Sequence, residues 1–130
     1  MNRVIVAGSR TFNDFALLER KLNELLVNLT DVEIVSGGAR GADKLGELYA
    51  EKHGLPLKIF PADWVAEPRR AGFIRNEAMA RYAAEAERGC CVVFWDGTSK
   101  GTAHMRTLAT QYNLALRTII FDEEVKDATR

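Results

Sequence analysis

Ser36-Gly37-Gly38-Ala39-Arg40-Gly41-Ala42-Asp43 follows the short apolar run Val32-Glu33-Ile34-Val35 and precedes Leu45, Leu48 and Tyr49 at helical spacing. Strand, glycine-rich turn and helix start, in that order, turn backbone N–H groups toward one point at a positive helix end. Such a point suits a phosphate or another anion. Gly37 and Gly38 permit a tight turn and close approach of a ligand to the backbone. Arg40 adds a charge able to make a charge-assisted hydrogen bond to the same anion. Ser36, Gly37, Gly38, Arg40 and Asp43 are therefore candidate binding residues. The alternative at this point is a strand-to-helix turn that binds nothing.

The same strand–turn–helix unit recurs outward from this stretch. Val4-Ile5-Val6 is a strand buried on both faces, ended by Gly8-Ser9-Arg10. Asn13 or Asp14 caps a first helix with Phe15, Leu18, Leu22, Leu25, Leu26 and Leu29 on one stripe. A third strand is expected over Leu57 to Phe60, then a long connection, Pro61 to Gly72, carrying Trp64 and Arg69-Arg70. The third helix is read from Ala71 to Ala86, with Ile74, Ala78, Met79 and Tyr82 inward. Cys90 to Trp95 forms the strongest strand. Asp96 to Thr102 opens a fourth helix with Met105, Leu108, Ala109 and Tyr112 on one face, and Leu116 to Phe121 is the last strand.

Strand–helix alternation predicts an α/β fold, a Rossmann-like three-layer sandwich with a parallel five-stranded sheet in order 3-2-1-4-5. Residues 1–121 are expected to form a single domain, with 122–130 a polar tail in an exposed turn or disordered. The switch point then lies between strands one and four, and ligands bind outside the carboxyl ends of the strands. Gly8-Ser9-Arg10, Ser36 to Asp43 and Asp96 to Thr102 meet there. Gly97, Ser99, Lys100, Gly101 and Thr102 join the candidates, supplying hydroxyls, a cation and helix N–H groups. Asp96 is placed to contact ribose hydroxyls or a base. Early in helix three, Arg75 is placed to hold a phosphate or carboxylate and Asn76 a ribose or base edge. Trp64 and Trp95 are candidates for base stacking, with Trp95 equally readable as core, and His104 reads as structural.

Composition narrows the function classes. The chain has 130 residues, 47% hydrophobic and 28% charged, with eighteen basic and eighteen acidic side chains. Without a global positive field, nucleic acid is not the expected partner. No apolar run approaches the roughly 20 residues that span a bilayer, so no membrane association is expected. Cys90 and Cys91, neighbours in a strand, point to opposite faces and do not pair; nor does their spacing make a zinc site. Reduced cysteines fit a cytoplasmic location, and no metal or cofactor is expected. A G-x-G-x-x-G after strand one is missing, and Gly97 to Thr102 lacks the Walker A order.

Gly8-Ser9-Arg10, Ser36 to Asp43, Arg75-Asn76-Glu77-Ala78-Met79 and Asp96 to Thr102 together resemble the YspA-type branch of the SLOG superfamily. That superfamily includes the Lonely Guy phosphoribohydrolases and DprA. The likeness runs from Val4 to Phe121. It implies a Rossmann-like domain that binds a nucleotide or nucleotide-derived ligand, such as a nucleoside phosphate or an ADP-ribose-like molecule, without a metal. It further implies Gly8, Ser9, Gly37, Gly38, Gly101 and Thr102 around phosphate and ribose, Arg10, Arg40 and Arg75 as neutralising charges, and pairing into a homodimer through exposed helical faces. The Lonely Guy catalytic Glu falls at Met105, which has no acid–base chemistry. Whether the protein is an enzyme therefore stays open, with Arg75, Asp43 and Asp96, or Glu77, as substitute catalytic candidates. A ligand sensor, a phosphoribohydrolase and a DprA-like DNA-associated protein are the alternatives.

Overall fold

A computed structural model describes residues 1–122; the segment 123–130, nearly all of the expected tail, lies outside the described residues. Strands and helices alternate as β1 (Asn2–Gly8), α1 (Phe15–Leu26), β2 (Val32–Ser36), α2 (Ala42–Lys52), β3 (Leu57–Ile59), α3 (Ala71–Ala84), β4 (Arg88–Trp95), α4 (Lys100–Gln111) and β5 (Ala115–Ile120). The five strands form one parallel sheet in the order β3-β2-β1-β4-β5. This is the α/β architecture that the alternation predicts.

Period-two alternation in the central strands divides the interior into two cores. Val4, Val6, Val92 and Phe94 face α1 and α2, meeting Leu18, Leu22, Tyr49 and Ala50. Ile5, Ala7, Cys91 and Val93 face α3 and α4, meeting Met79, Ala80, Met105 and Ala109. Both cysteines are free, and Cys90 and Cys91 lie on opposite faces. Burial of each large side chain such as Phe94 or Leu18 contributes roughly 1.5–3 kcal/mol. At the start of α1, Asp14 is the cap, its Oδ1 accepting from Leu17 N–H at 3.0 Å.

Three expectations need correction. β4 begins at Arg88, two residues before the apolar run, because Asn2 and Arg3 of β1 pair in register with Arg88 and Gly89. In α3 the inward residues are Ala71, Asn76, Met79, Ala80 and Ala83, while Ile74 is 44% exposed. Apolar residues run around most of that helix, and the buried position at its carboxyl-end side goes to a polar side chain, Asn76. Leu48 of α2 likewise faces solvent.

The β1 turn is set by a close approach. A Cβ on Gly8 would lie 2.1 Å from the Phe94 carbonyl oxygen and 2.9 Å from the Ala42 Cβ. Glycine there lets the start of α2 rest on the last turn of β1 beside β4. Gly8→Ala is expected to lower stability by about 3 kcal/mol, the upper end of overpacking costs. Urea unfolding is the check, with the midpoint falling at unchanged slope; an unmoved midpoint would show that the strands part without cost.

Candidate functional site

The loops after β1 and β4 and the starts of α2, α3 and α4 converge at the carboxyl ends of the strands. Ser9 ties two of them together: its N–H donates to the Phe94 carbonyl at 2.9 Å, and its carbonyl accepts from Ala42 N–H at 3.3 Å. Its Oγ accepts from Asp96 N–H at 3.0 Å and lies 3.0 Å from Ser99 Oγ. Ser99 Oγ in turn reaches Thr102 Oγ1 at 3.2 Å. Asp96 Oδ1 accepts from the N–H groups of Thr98 and Ser99, both at 2.8 Å, and those bonds hold its carboxyl below the usual range. Asp96 thus shapes the entry to α4.

Arg75 and Asp43 form the charged centre. One Arg75 Nη1 donates to the Gly37 carbonyl, and Nε donates to Asn76 Oδ1 at 2.9 Å. A Cβ on Gly37 would stand 2.6 Å from Arg75 Nη1 and 2.8 Å from Asp43 Oδ2, so glycine is what admits the guanidinium and carboxylate together. Asp43 Oδ2 accepts from Ala39 N–H at 3.2 Å. Burial pushes the Asp43 carboxyl up to about 6, against the opposing pull of Arg75. Burial lowers the Arg75 pKa, with Asp43 opposing and Arg10 adding to it. Asn76 Nδ2 donates to the Gly101 carbonyl at 3.3 Å and to His104 Nδ1 at 3.2 Å. The neutral imidazole then carries its proton on Nε2.

Around this centre lies an open cleft of about 350 Å³ that includes Gly8, Ser9, Arg10, Asp43, Arg75, Asn76, Asp96, Ser99, Gly101 and Thr102. A second cleft of about 540 Å³ adjoins it and contains Gly37, Gly38 and Arg40, with Arg10, Ala39 and Arg75 common to both. Ser36 lines neither. It is fully buried, its Oγ bonded to Glu47 Oε2 at 2.7 Å and accepting from Gly38 N–H at 3.1 Å. Gly97 and Lys100 are exposed and also line neither cleft. Trp95 donates to the Ser99 carbonyl at 3.0 Å and carries Arg106 over its ring, so its indole braces the loop. Glu77 is exposed and pairs with Arg81. Sequence reading passed over Ala7, Thr11, Ala39 and Met79, which also line the first cleft. The inward period-two side of β1 points to Ala7; nothing local marks the others.

The Asp43 carboxyl has a consequence for stability. From about pH 4 to about pH 6 the native chain keeps a proton that the unfolded chain has released, so stability falls as pH rises through that window. Asp43→Asn removes this titration while keeping an acceptor for Ala39 N–H. The variant is expected to gain roughly 2–3 kcal/mol on the parent between pH 4 and pH 7. Urea midpoints of both chains across that range are the measurement, and parallel curves would place the carboxyl near its ordinary value.

Among the described residues no helix is long and apolar enough to cross a membrane, and no group of three His, Cys, Asp or Glu is placed to hold a metal ion. In solved structures, the chain is similar to a predicted subunit of tRNA methyltransferase from Methanocaldococcus jannaschii, at 13% identity and a TM-score of 0.49, over 99% of this chain and 75% of that one. It is 34% identical to the Gene 61 protein of Mycobacterium phage D29 over 110 residues, 80% of this chain and 85% of that protein. Residues 2–66, from β1 through the glycine turn to the loop carrying Trp64, match the model of a SLOG family. With the fold, the glycine turn and that relative in agreement, the chain belongs to the YspA, cpYpsA-related SLOG family.

Proposed function

We propose that the first cleft binds a nucleotide or nucleotide-derived ligand, and that the protein works as a binding module with a sensing role. The observation that carries this is the placement of Arg75. It is anchored by the Gly37 carbonyl and Asn76 and lines the cleft together with Gly101 and Thr102 of the first turn of α4. A phosphate between them meets a fixed guanidinium on one side and the N–H groups of Gly101 and Thr102 on the other. Ser9, Asn76 and Asp96 supply donors and acceptors for ribose hydroxyls or a base edge. Met105, at the position the resemblance assigns to a catalytic Glu, is buried in the wall of this cleft and moves no proton.

One observation favours a second activity at the same site. Asp43, with its carboxyl at about 6, lines the cleft in the range suited to proton transfer near neutrality. In N-glycosidic hydrolysis, water adds at C1′, the bond from C1′ to the base nitrogen breaks, and the base leaves carrying a proton. Asp43 takes the proton from the attacking water in that scheme and passes it on to the departing base nitrogen, so the carboxylate is regenerated.

Thermal unfolding of the chain with AMP, ADP-ribose and ribose 5-phosphate separates these outcomes when followed by chromatography for free base. A ligand at about 100 times its Kd adds about 2.7 kcal/mol, a rise of several degrees in Tm for a domain of this size. Arg75→Ala is expected to abolish the rise. Stabilisation with no released base supports the binding module; base release lost in Asp43→Asn supports the hydrolase. Absence of any shift overturns the nucleotide site.

A further inference from the structure

The second cleft is cationic and includes an aromatic side chain. Arg10, Arg40, Lys44 and Arg75 line it without a carboxylate, in a chain whose basic and acidic side chains cancel overall. Lys44 is paired with Glu47 at 3.4 Å, and Arg75 is anchored as above. Arg10 and Arg40 are exposed and make no side-chain hydrogen bond or ion pair with another described residue. Trp64, 48% exposed, lines the same cleft.

Trp64 sits on a hydrogen-bonded loop. Its loop is closed by Glu67 N–H donating to the Asp63 carbonyl at 2.9 Å and Ala71 N–H to the Glu67 carbonyl at 3.0 Å. The edge of the indole rests on α3 at Gly72, where a Cβ would come within 3.3 Å of its ring. A half-exposed indole lining a cleft with guanidinium groups suits a planar ring attached to phosphate, since stacking on an aromatic face tolerates any base. Arg10 and Arg75 line both clefts and so stand at their boundary.

We infer that the ligand is a dinucleotide-like molecule spanning both clefts: one nucleoside in the first, two linked phosphates between Arg10 and Arg75, and a second ring on Trp64 beside Arg40. This rests on the nucleotide reading of the first cleft and extends it to a ligand class. A mononucleotide leaves the Trp64 cleft unfilled. The neutral sequence hides this patch because Arg10, Arg40, Lys44 and Trp64 come from different loops and helix starts.

Titration calorimetry with AMP, ADP and diadenosine pyrophosphate, which carries two adenosines on two phosphates, tests the assignment. Diadenosine pyrophosphate is expected to bind about tenfold more tightly than ADP, within the range for one stacked base. Trp64→Ala should erase that margin and leave AMP affinity unchanged, Trp64→Phe should retain most of it, and Arg40→Ala should weaken diadenosine pyrophosphate more than AMP. Equal affinity for ADP and diadenosine pyrophosphate, or a margin that survives Trp64→Ala, overturns the spanning ligand while AMP binding still upholds the first cleft. If none of the three binds, both fall together.

Discussion

The site depends on a guanidinium and a carboxylate sharing the space left by one missing Cβ, at Gly37. Neither charge is well hydrated, and burial alone favours the neutral form of each. Arg75 gives its short-range bonds to the Gly37 carbonyl and Asn76, and acts on Asp43 through space. The result is a cation fixed without being neutralised by a tight contact pair. Asp43 is left poised near pH 6, its ionised form opposed by burial and by Glu47. Fixed charge of this kind costs stability in the empty protein and lowers the reorganisation needed when an anion arrives.

For the proposed anionic ligand, that arrangement couples affinity to proton uptake. An anion beside Asp43 meets repulsion when the carboxyl is ionised and none when it is protonated. The loop after β4 behaves differently, because the Asp96 carboxylate already accepts from two loop N–H groups and its pKa is lowered. Both glycine-rich turns therefore contain an acid supplied by the protein itself. One is committed to shaping its loop across the neutral range, whereas the other sits near its titration midpoint.

Much of this was legible in the sequence, and the limits have physical causes. Val4 to Val6 and Cys91 to Phe94 are apolar on both alternating sides, which marks strands covered on two faces and places β1 and β4 at the centre. The strand order follows from crossover geometry, and with it the meeting of the Gly8, Asp43 and Asp96 loops. Apolar spacing failed in α3, where Ile74 faces solvent and Asn76 is buried. That helix packs by small residues and sends a polar side chain toward the site, so hydrophobicity does not report its orientation. Ser36 read as a ligand contact, yet its hydroxyl turns beneath the loop to Glu47, a partner eleven residues away. Arg10, Arg40 and Trp64 were each legible as binding candidates, but their sharing of one cleft is a product of tertiary packing.

The glycines also carry a different meaning from the one their motif suggests. In a phosphate-binding loop, glycine exposes backbone N–H groups to the ligand. Here Gly8 is occupied by the approach of the Phe94 carbonyl, and Gly37 by Arg75 and Asp43. Ala39 N–H is bonded to Asp43, Gly38 N–H to Ser36 and Ala42 N–H to the Ser9 carbonyl. Those three donors are used inside the protein and are not offered to an anion. In the proposed nucleotide reading, recognition at that end draws on the side chains of Arg75, Arg10 and Arg40, and the α4 end adds the N–H groups of Gly101 and Thr102. A guanidinium presents its donors in a planar fork, a geometry that matches phosphate where a single backbone N–H offers one donor.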